Sequence, residues 1–169
     1  MRIGIPKEIK TREYRVSMTP DSVKVLLENK HEVFVENNAG LGIGFSNEDY
    51  KNAGAQIVGS AEHVFDSAEM VVKVKEPLKS EIALLKPNQV LFTYLHLAAD
   101  FGQTKGLIDS GCIAIAYETV TGTDGKLPLL APMSEIAGKM SVQVGAQCLE
   151  KANGGKGVLI GGATGVTAA

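Results

Sequence analysis

The chain has 169 residues, which is enough for one domain or for one domain and a piece of another. Hydrophobic residues make up 44% of it and the formal net charge is −2, so a core can form and nothing favours binding to nucleic acid or to an anionic membrane surface. Cys112 and Cys148 form no disulfide or zinc-binding pattern, which is typical of a reducing compartment. No apolar stretch is long enough for a signal peptide or a transmembrane helix. We therefore expect a cytoplasmic α/β protein without a metal site.

The amino-terminal third alternates extended and helical patterns. Residues 2–5 predict a first strand, which a proline stops. After a charged loop, T-P-D at 19–21 predicts a helix start, because it combines a hydroxyl N-cap, a proline at the first helical position and an acid in the first turn. Residues 32–36 predict a second strand and residues 55–58 a short third one. A further helix is expected from Ser60.

A glycine-rich loop, A-G-L-G-I-G-F, covers residues 39–45 between the second and third strands. Ser46 and Asp49 then match a capping box that opens a helix. The dinucleotide spacing G-x-G-x-x-G would need glycine at position 45, which is Phe45, and the lysine of a phosphate-binding P-loop is missing. Phosphate binding is one explanation of this loop. Glycines needed for a positive φ or for close backbone approach are the explanation we favour.

Two apolar runs, at 70–74 and 89–92, predict buried strands of a parallel sheet. Lys75 follows the first run and His96 follows the second. In open α/β sheets, ligands bind beyond the carboxyl ends of the strands. A cation and an imidazole at two such ends favour a site for a small anionic carbonyl compound. The alternative is that Lys75 only ends a strand and that His96 is a hydrogen-bonded structural histidine.

The remaining chain continues the alternation. Helices are expected near 78–85 and over 100–108, then a strand at 112–117, then the longest helix, from Pro132 to about Lys151. The sequence therefore predicts an α/β fold with a doubly wound parallel sheet, Rossmann-like or flavodoxin-like, and helices on both faces. One face of the longest helix carries small residues that would let another element, domain or subunit approach closely: Gly138, Ser141 and Gly145.

The order of several motifs resembles the amino-terminal part of the alanine dehydrogenase and pyridine nucleotide transhydrogenase family. The motifs near the amino end are G-I-P-K-E, R-E-Y-R-V and T-P-D-S-V. The motifs that continue the match in register are A-G-L-G-I-G-F-S-N-E-D-Y, V-K-V-K-E-P, L-F-T-Y-L-H-L-A and P-M-S-E-I-A-G. T-Y-L-H followed by L-A-A looks more like an alanine dehydrogenase than a transhydrogenase. Arg12 stands where many members have asparagine and His31 where a glycine usually follows the first helix. Both departures concern loops.

The resemblance implies an NAD-dependent L-alanine dehydrogenase, which deaminates L-alanine oxidatively and reversibly to pyruvate and ammonia. It implies that Arg15 and Lys75 bind the substrate and that His96 is the catalytic acid and base. It also implies one cofactor contact, Ser134. The remaining positions that it places close to the substrate are Tyr94, Glu118 and Met133.

These residue types suit that chemistry. A guanidinium such as that of Arg15 grips a carboxylate with a planar fork. The ammonium of Lys75 can orient the acid and polarise its carbonyl. An imidazole such as that of His96 can donate and accept protons near neutral pH. Without the resemblance, the simpler interpretation of Arg15 is a solvated loop charge.

The family's G-x-G-x-x-G turn for NAD is not found here, since the glycines at 155 and 157 would need a third at position 160, which is Ile160. We therefore expect a substrate-binding domain at 1–130, and at 131–169 a linking helix with the start of an NAD-binding domain. This would be the amino-terminal half of the enzyme, from a truncated gene, a split gene or a shortened polypeptide. NAD is then the cofactor of the complete enzyme.

For partners we expect further copies of the chain in a homo-oligomer, together with a separately encoded NAD-binding half if the gene is split. A second interpretation comes from a different class of protein. The chain could be a piece of a transhydrogenase-type subunit, or a non-catalytic module that binds an oxoacid or serves assembly.

Overall fold

The computed structural model describes all 169 residues, which form two compact units, Met1–Thr119 and Val120–Ala169. The first unit contains all the strands of the sheet. These strands are β1 (Arg2–Ile5), β2 (Glu32–Glu36), β3 (Gln56–Val58), β4 (Met70–Val72), β5 (Val90–Thr93) and β6 (Ile113–Ala116). The helices of the first unit are α1 (Pro20–Glu28), α2 (Asn47–Asn52), α3 (Ala61–Ser67), α4 (Lys79–Ile82) and α5 (Phe101–Ser110).

The sheet has six strands in the order β3-β2-β1-β4-β5-β6, and every neighbouring pair is parallel. This is the strand order of a doubly wound Rossmann-type sheet, so the predicted fold class is confirmed and its Rossmann-like form is the correct one. The order reverses between β1 and β4, which are neighbours in space although β2 and β3 separate them in sequence. A crevice at the carboxyl ends of β1 and β4 is therefore where this fold places a ligand.

Four predicted helix starts are confirmed by their capping hydrogen bonds. The side chains of Thr19, Ser46, Ser60 and Asp100 each accept a backbone N–H from the first turn of the helix that follows. Ser46 also forms the predicted capping box with Asp49. Each cap satisfies one of the N–H groups that a helix start leaves without an internal partner, which is why these short side chains define the starts so well.

The core consists of two clusters. One joins β1 and β2 to α1 and α2 through Ile5, Val23, Val35 and Tyr50 and their neighbours. The other joins β4 and β5 to α3 and α5; its innermost members are Phe65, Val71, Leu91 and Leu95. The strands read as nearly continuous apolar runs because a parallel sheet is covered on both faces.

Some element ends differ from the sequence prediction. The strand predicted at 70–74 ends at Val72, because the N–H groups of Val74 and Lys75 leave the ladder and donate to the carboxylate of Glu8. The helix predicted near 78–85 is only the short α4. The chain reaches Pro87 soon afterwards, and a proline disfavours helical backbone in the residue before it.

The second unit contains α6 (Ala131–Leu149), which has proline in its first turn as predicted. No residue of α6 is buried. The proposed functional division at residue 130 remains a prediction. None of the helices is both long and apolar enough to span a membrane.

Candidate functional site

The residues singled out in the first unit all follow carboxyl ends of strands. Arg15 lies on the loop after β1, Lys75 lies just beyond β4, Tyr94 and His96 lie just beyond β5, and Glu118 lies just beyond β6. Because the strands are parallel, these ends form one edge of the sheet, as the sequence predicts. β1, β4, β5 and β6 are consecutive in the sheet, so the residues come from neighbouring positions along this edge.

The Arg15 guanidinium is engaged by the carboxylate of Glu13. Its Nε donates to Oε1 at 2.8 Å and its Nη2 donates to Oε2 at 2.6 Å, so two parallel bonds join the two side chains. The hydrogen bonds from Arg15 lower the pKa of the Glu13 carboxyl to about 2, and the nearby charge of Lys75 adds to this effect. Glu13 therefore stays ionised and fixes the plane of the guanidinium. The sequence analysis missed Glu13, although an acid two residues before Arg15 was visible.

The backbone of Lys75 is held on both sides. Its N–H and that of Val74 donate to Glu8 Oε1, at 3.3 and 2.7 Å, and its carbonyl accepts the hydroxyl of Thr93 at 2.9 Å. The Lys75 side chain itself is half-buried. A residue with a fixed backbone has only its own rotamers to lose when it binds an anion, which lowers the entropic cost of that contact.

A buried ionic network lies under this strand end. Lys73 is 1% exposed, and its Nζ lies 2.6 Å from Glu81 Oε1 and 3.3 Å from Glu8 Oε2. The second oxygen of Glu81 accepts the N–H of Leu78 at 2.8 Å, at the start of α4. Every carboxylate oxygen of the network is thus hydrogen-bonded, as buried charges require. The sequence analysis missed this network too; its signal was a lysine at position 73 within an apolar run.

His96 lies in a left-handed backbone conformation, with φ of 50°, which is uncommon for a residue other than glycine. The carboxylate of Glu118 stabilises this turn by accepting the N–H of His96 at 2.7 Å and that of Leu95 at 3.1 Å. Burial raises the pKa of Glu118, but the backbone N–H donors together outweigh burial and lower it. The His96 residue is exposed. Glu118 therefore acts on the backbone that carries His96.

Tyr94 contacts aromatic rings that follow both β5 and β6. Its ring stacks on the His96 imidazole, with centroids 5.9 Å apart and planes 13° from parallel. It also makes an edge contact with Tyr117 at 5.0 Å. Burial raises the pKa of the Tyr94 hydroxyl; the charge of Arg15 acts against this rise and that of Glu118 adds to it. The structure thus brings Arg15, Tyr94, His96 and Glu118 into one electrostatic neighbourhood.

A further carboxylate lies next to Lys75. Glu76 forms an ion pair with Lys10, and its other oxygen, Oε2, is buried without a hydrogen-bond partner. Burial raises the pKa of Glu76, but its bond with Lys10 and the nearby charge of His96 are among the influences that lower it overall. Besides Glu118, which the sequence analysis expected close to the substrate, the edge therefore carries a carboxylate that it missed, that of Glu76.

A cavity of about 420 Å³ lies beside the loop after β1. Its lining includes Glu8, Lys10, Glu13, Arg15 and Gly42. A Cβ on Gly42 would lie 2.5 Å from the backbone oxygen of Tyr14, so this glycine is needed for close backbone approach, as the favoured explanation of the loop predicts. A larger cavity of about 650 Å³ lies between α4 and α5 and includes none of the candidate residues.

Met133 and Ser134 lie in the first turn of α6, in the second unit, and their roles remain predictions. The glycines that follow α6 do not form a dinucleotide turn: Gly154 and Gly157 have positive φ and position 160 is Ile160. The residues present therefore do not fit the fingerprint that holds NAD. No group of three or more His, Cys, Asp or Glu side chains is placed to hold a metal ion.

The curated proteins most similar in sequence to this chain include several alanine dehydrogenases. It is 57% identical over 166 residues to the alanine dehydrogenase of Methanococcus maripaludis, covering 98% of the chain and 44% of the relative. It is 53% identical over 169 residues to that of Halomonas elongata, covering 100% of the chain and 46% of the relative. The chain therefore spans less than half the length of these curated relatives.

Solved structures show the same similarity. An L-alanine dehydrogenase superposes with a TM-score of 0.88 at 55% identity, over 99% of this chain and 46% of the other. A transhydrogenase from Sinorhizobium meliloti gives 0.66 at 27% identity, over 70% of this chain and 35% of the other. The family profile described as "Alanine dehydrogenase/PNT, N-terminal domain" matches residues 4–137. The chain therefore belongs to the alanine dehydrogenase and PNT amino-terminal domain family.

Proposed function

We propose that this chain is the substrate-binding part of an NAD-dependent L-alanine dehydrogenase, which converts L-alanine reversibly to pyruvate and ammonia in the cytoplasm. One observation carries the proposal: Arg15, Lys75 and His96 follow the carboxyl ends of three consecutive parallel strands, β1, β4 and β5. The greater identity and coverage with alanine dehydrogenases favour this activity over that of a transhydrogenase.

Substrate binding is assigned to the two cations. Pyruvate carries a carboxylate beside a carbonyl. Arg15, with its plane fixed by Glu13, offers a rigid donor for the carboxylate. Lys75, with its backbone held by Glu8 and Thr93, offers a point charge that orients the acid and polarises the carbonyl. Tyr94 lies near Arg15 and His96 and would shape the pocket between them.

Proton transfer is assigned to His96. Forming and collapsing the carbinolamine moves a proton at the substrate's former carbonyl oxygen, and an imidazole can serve as acid and base there. The stacked ring of Tyr94 limits the orientations of the imidazole, and Glu118 stabilises the turn from which it projects. Met133 is proposed as a further neighbour of the substrate.

NAD is proposed as the hydride acceptor of the complete protein, and Ser134 as one residue that contacts it. The dinucleotide turn would have to come from outside these 169 residues, either from the rest of a longer chain or from a separately encoded half. No step of the reaction is assigned to this chain beyond substrate binding and proton transfer.

The proposal is tested with a hybrid enzyme in which these 169 residues replace the matching part of the Methanococcus maripaludis alanine dehydrogenase. We expect the hybrid enzyme to reduce NAD with L-alanine, because the chain would supply the substrate groups and the relative would supply the remainder. The 169-residue polypeptide alone should produce no NADH, because it has no dinucleotide turn. NADH absorbance checks both. A folded hybrid that binds pyruvate without turnover would favour a non-catalytic oxoacid-binding module.

Substitution of the two cations in the hybrid enzyme should separate their roles. Arg15→Lys keeps the charge but loses the planar fork, so KM for pyruvate should rise while kcat changes little. Lys75→Ala should raise KM and lower kcat, because the ammonium acts on both the carboxylate and the developing charge. Steady-state kinetics in the reductive direction measure both. Lys24→Ala is the control and should change neither constant, because the Lys24 side chain lies on the exposed face of α1. Equal behaviour of Arg15→Lys and Lys24→Ala would remove Arg15 from the site.

We also propose that the protein is a homo-oligomer. α6 carries no buried residue, and β6, the last strand on one side of the sheet, leaves Ile113 and Ile115 exposed by 49% and 40%. Exposed apolar surface of this kind favours association. Light scattering of the 169-residue chain should therefore show dimers or larger species. A monomer across a wide range of concentrations would contradict this.

A further inference from the structure

Side chains as well as backbone bonds connect the strand end that carries Lys75 to the segments on either side of it. Glu8, from the loop after β1, accepts the N–H groups of Val74 and Lys75, and Thr93, the last residue of β5, donates its hydroxyl to the Lys75 carbonyl. Thr93 is 0% exposed and Glu8 is 7% exposed. β4 ends at Val72, and beyond it these side-chain bonds add to the backbone bonds that still link the segment to β5.

Glu8 is in turn fixed by a buried cation. Its second oxygen faces Lys73 Nζ at 3.3 Å, and the same Nζ lies 2.6 Å from Glu81, whose carboxylate also receives the N–H of Leu78. The position of Glu8 therefore depends on charges that solvent does not screen. Such a carboxylate has little freedom to move away from the Lys75 N–H.

Thr93 links Lys75 to the segment of His96. It lies three residues before His96, and the next residue, Tyr94, donates its own N–H to the carbonyl of Val74 at 3.4 Å. The two segments that leave β4 and β5 are therefore joined by the Thr93 hydroxyl and by one backbone bond. This pairing sets how far apart the Lys75 and His96 backbones stand.

We propose that Glu8 and Thr93 are positioning residues, which hold Lys75 in place for the substrate carboxylate and at a fixed separation from His96. The inference rests on the proposed function, because it takes Lys75 as the residue that binds the substrate. Neither side chain is assigned a contact with the substrate. Their effect is on geometry, and small displacements of a binding group are costly: a shift of about 1 Å can lower a rate by ~10²-fold.

Thr93→Val tests the proposal, because valine has the shape of threonine but no hydroxyl. In the 169-residue chain, amide hydrogen exchange at 74–76, taken relative to the amides of β2, should become about five- to tenfold faster, the change expected for one lost hydrogen bond. In the hybrid enzyme, KM for pyruvate should rise about tenfold, because we expect the loss of one hydroxyl to displace Lys75 by less than about 1 Å. Thr93→Ser keeps the hydroxyl and should restore both values.

Gln89→Met is the matched control. Gln89 is also buried and also bonds backbone carbonyls, those of Phe65 and Ala68 at 2.7 and 2.8 Å, but it lies just before β5 begins, at the opposite edge of the sheet. Gln89→Met should lower the denaturation midpoint without changing relative exchange at 74–76 or KM. Glu8→Gln keeps an acceptor, but a neutral amide binds N–H groups less strongly than a carboxylate, so it should act like Thr93→Val with a smaller effect.

The outcomes separate this inference from the proposed function. If Thr93→Val and Gln89→Met behave alike in exchange and in KM, or if Thr93→Ser fails to restore the values, Thr93 and Glu8 are merely structural and the inference is overturned. If the hybrid enzyme is inactive with every residue intact, the proposed function fails. The exchange measurement on the chain then decides by itself whether Glu8 and Thr93 hold Lys75.

Discussion

His96→Ala in the hybrid enzyme should lower kcat by roughly 10²–10⁴-fold, because it removes the group that exchanges a proton with the substrate oxygen. KM for pyruvate should change much less, since Arg15 and Lys75 keep the carboxylate bound. Rapid-mixing kinetics under single-turnover conditions would show whether the loss lies in the chemical step. Alanine also removes the stacking contact with Tyr94, so part of the loss could come from misplaced neighbours. His96→Phe keeps an aromatic ring against Tyr94 and should lose as much as His96→Ala.

His63→Ala provides the control for this experiment. His63 is an exposed histidine on α3 and belongs to no part of the candidate site. Its replacement should leave kcat within the error of measurement. If His96→Ala kept near-normal turnover while affinity for pyruvate collapsed, His96 would be a binding residue and the acid and base role would be wrong.

Lys73→Met should lower the free energy of unfolding of the 169-residue chain by about 3–5 kcal/mol, the cost of removing one partner from a buried ionic network. Methionine has a similar length and packs well, so little of this loss comes from a cavity. The cost arises because Glu8 and Glu81 remain buried and close to each other without their shared cation. Urea denaturation followed by circular dichroism measures the change.

Lys86→Met is the matched control, because Lys86 pairs with Asp66 at 2.5 Å but both side chains are largely exposed, at 48% and 78%. An exposed pair contributes only about 0–1 kcal/mol, so this variant should be nearly as stable as the parent chain. Combining Lys73→Met with Glu8→Gln and Glu81→Gln should recover part of the lost stability by removing the unpaired charges. Equal losses of unfolding free energy for Lys73→Met and Lys86→Met would show that the buried network stabilises the fold no more than an exposed ion pair does.

The helix starts could be predicted because the interactions that define them are local. Thr19, Ser46 and Asp100 each bond an N–H within three residues of themselves, so a short stretch of sequence contains both donor and acceptor. The class of the sheet could also be predicted, because a chain in which strands alternate with helices has few possible arrangements other than a parallel doubly wound sheet. The carboxyl end of β4 was not predictable, because the carboxylate that draws Val74 and Lys75 out of the ladder comes from Glu8, far away in sequence.

The sequence by itself determined which elements form, the class of the sheet, and that Lys75 and His96 follow strand ends where such folds bind ligands. Only the tertiary structure decided what surrounds those residues. Lys73 bonds Glu8, 65 residues away in sequence, and the N–H of His96 bonds Glu118, 22 residues away. Neither contact can be recognised from the local pattern of apolar and polar residues. The physical reason is that a helix cap or an apolar stripe is selected by neighbours in sequence. A buried ion pair is selected by the order in which parallel strands lie side by side, and that order appears only once the whole sheet is assembled.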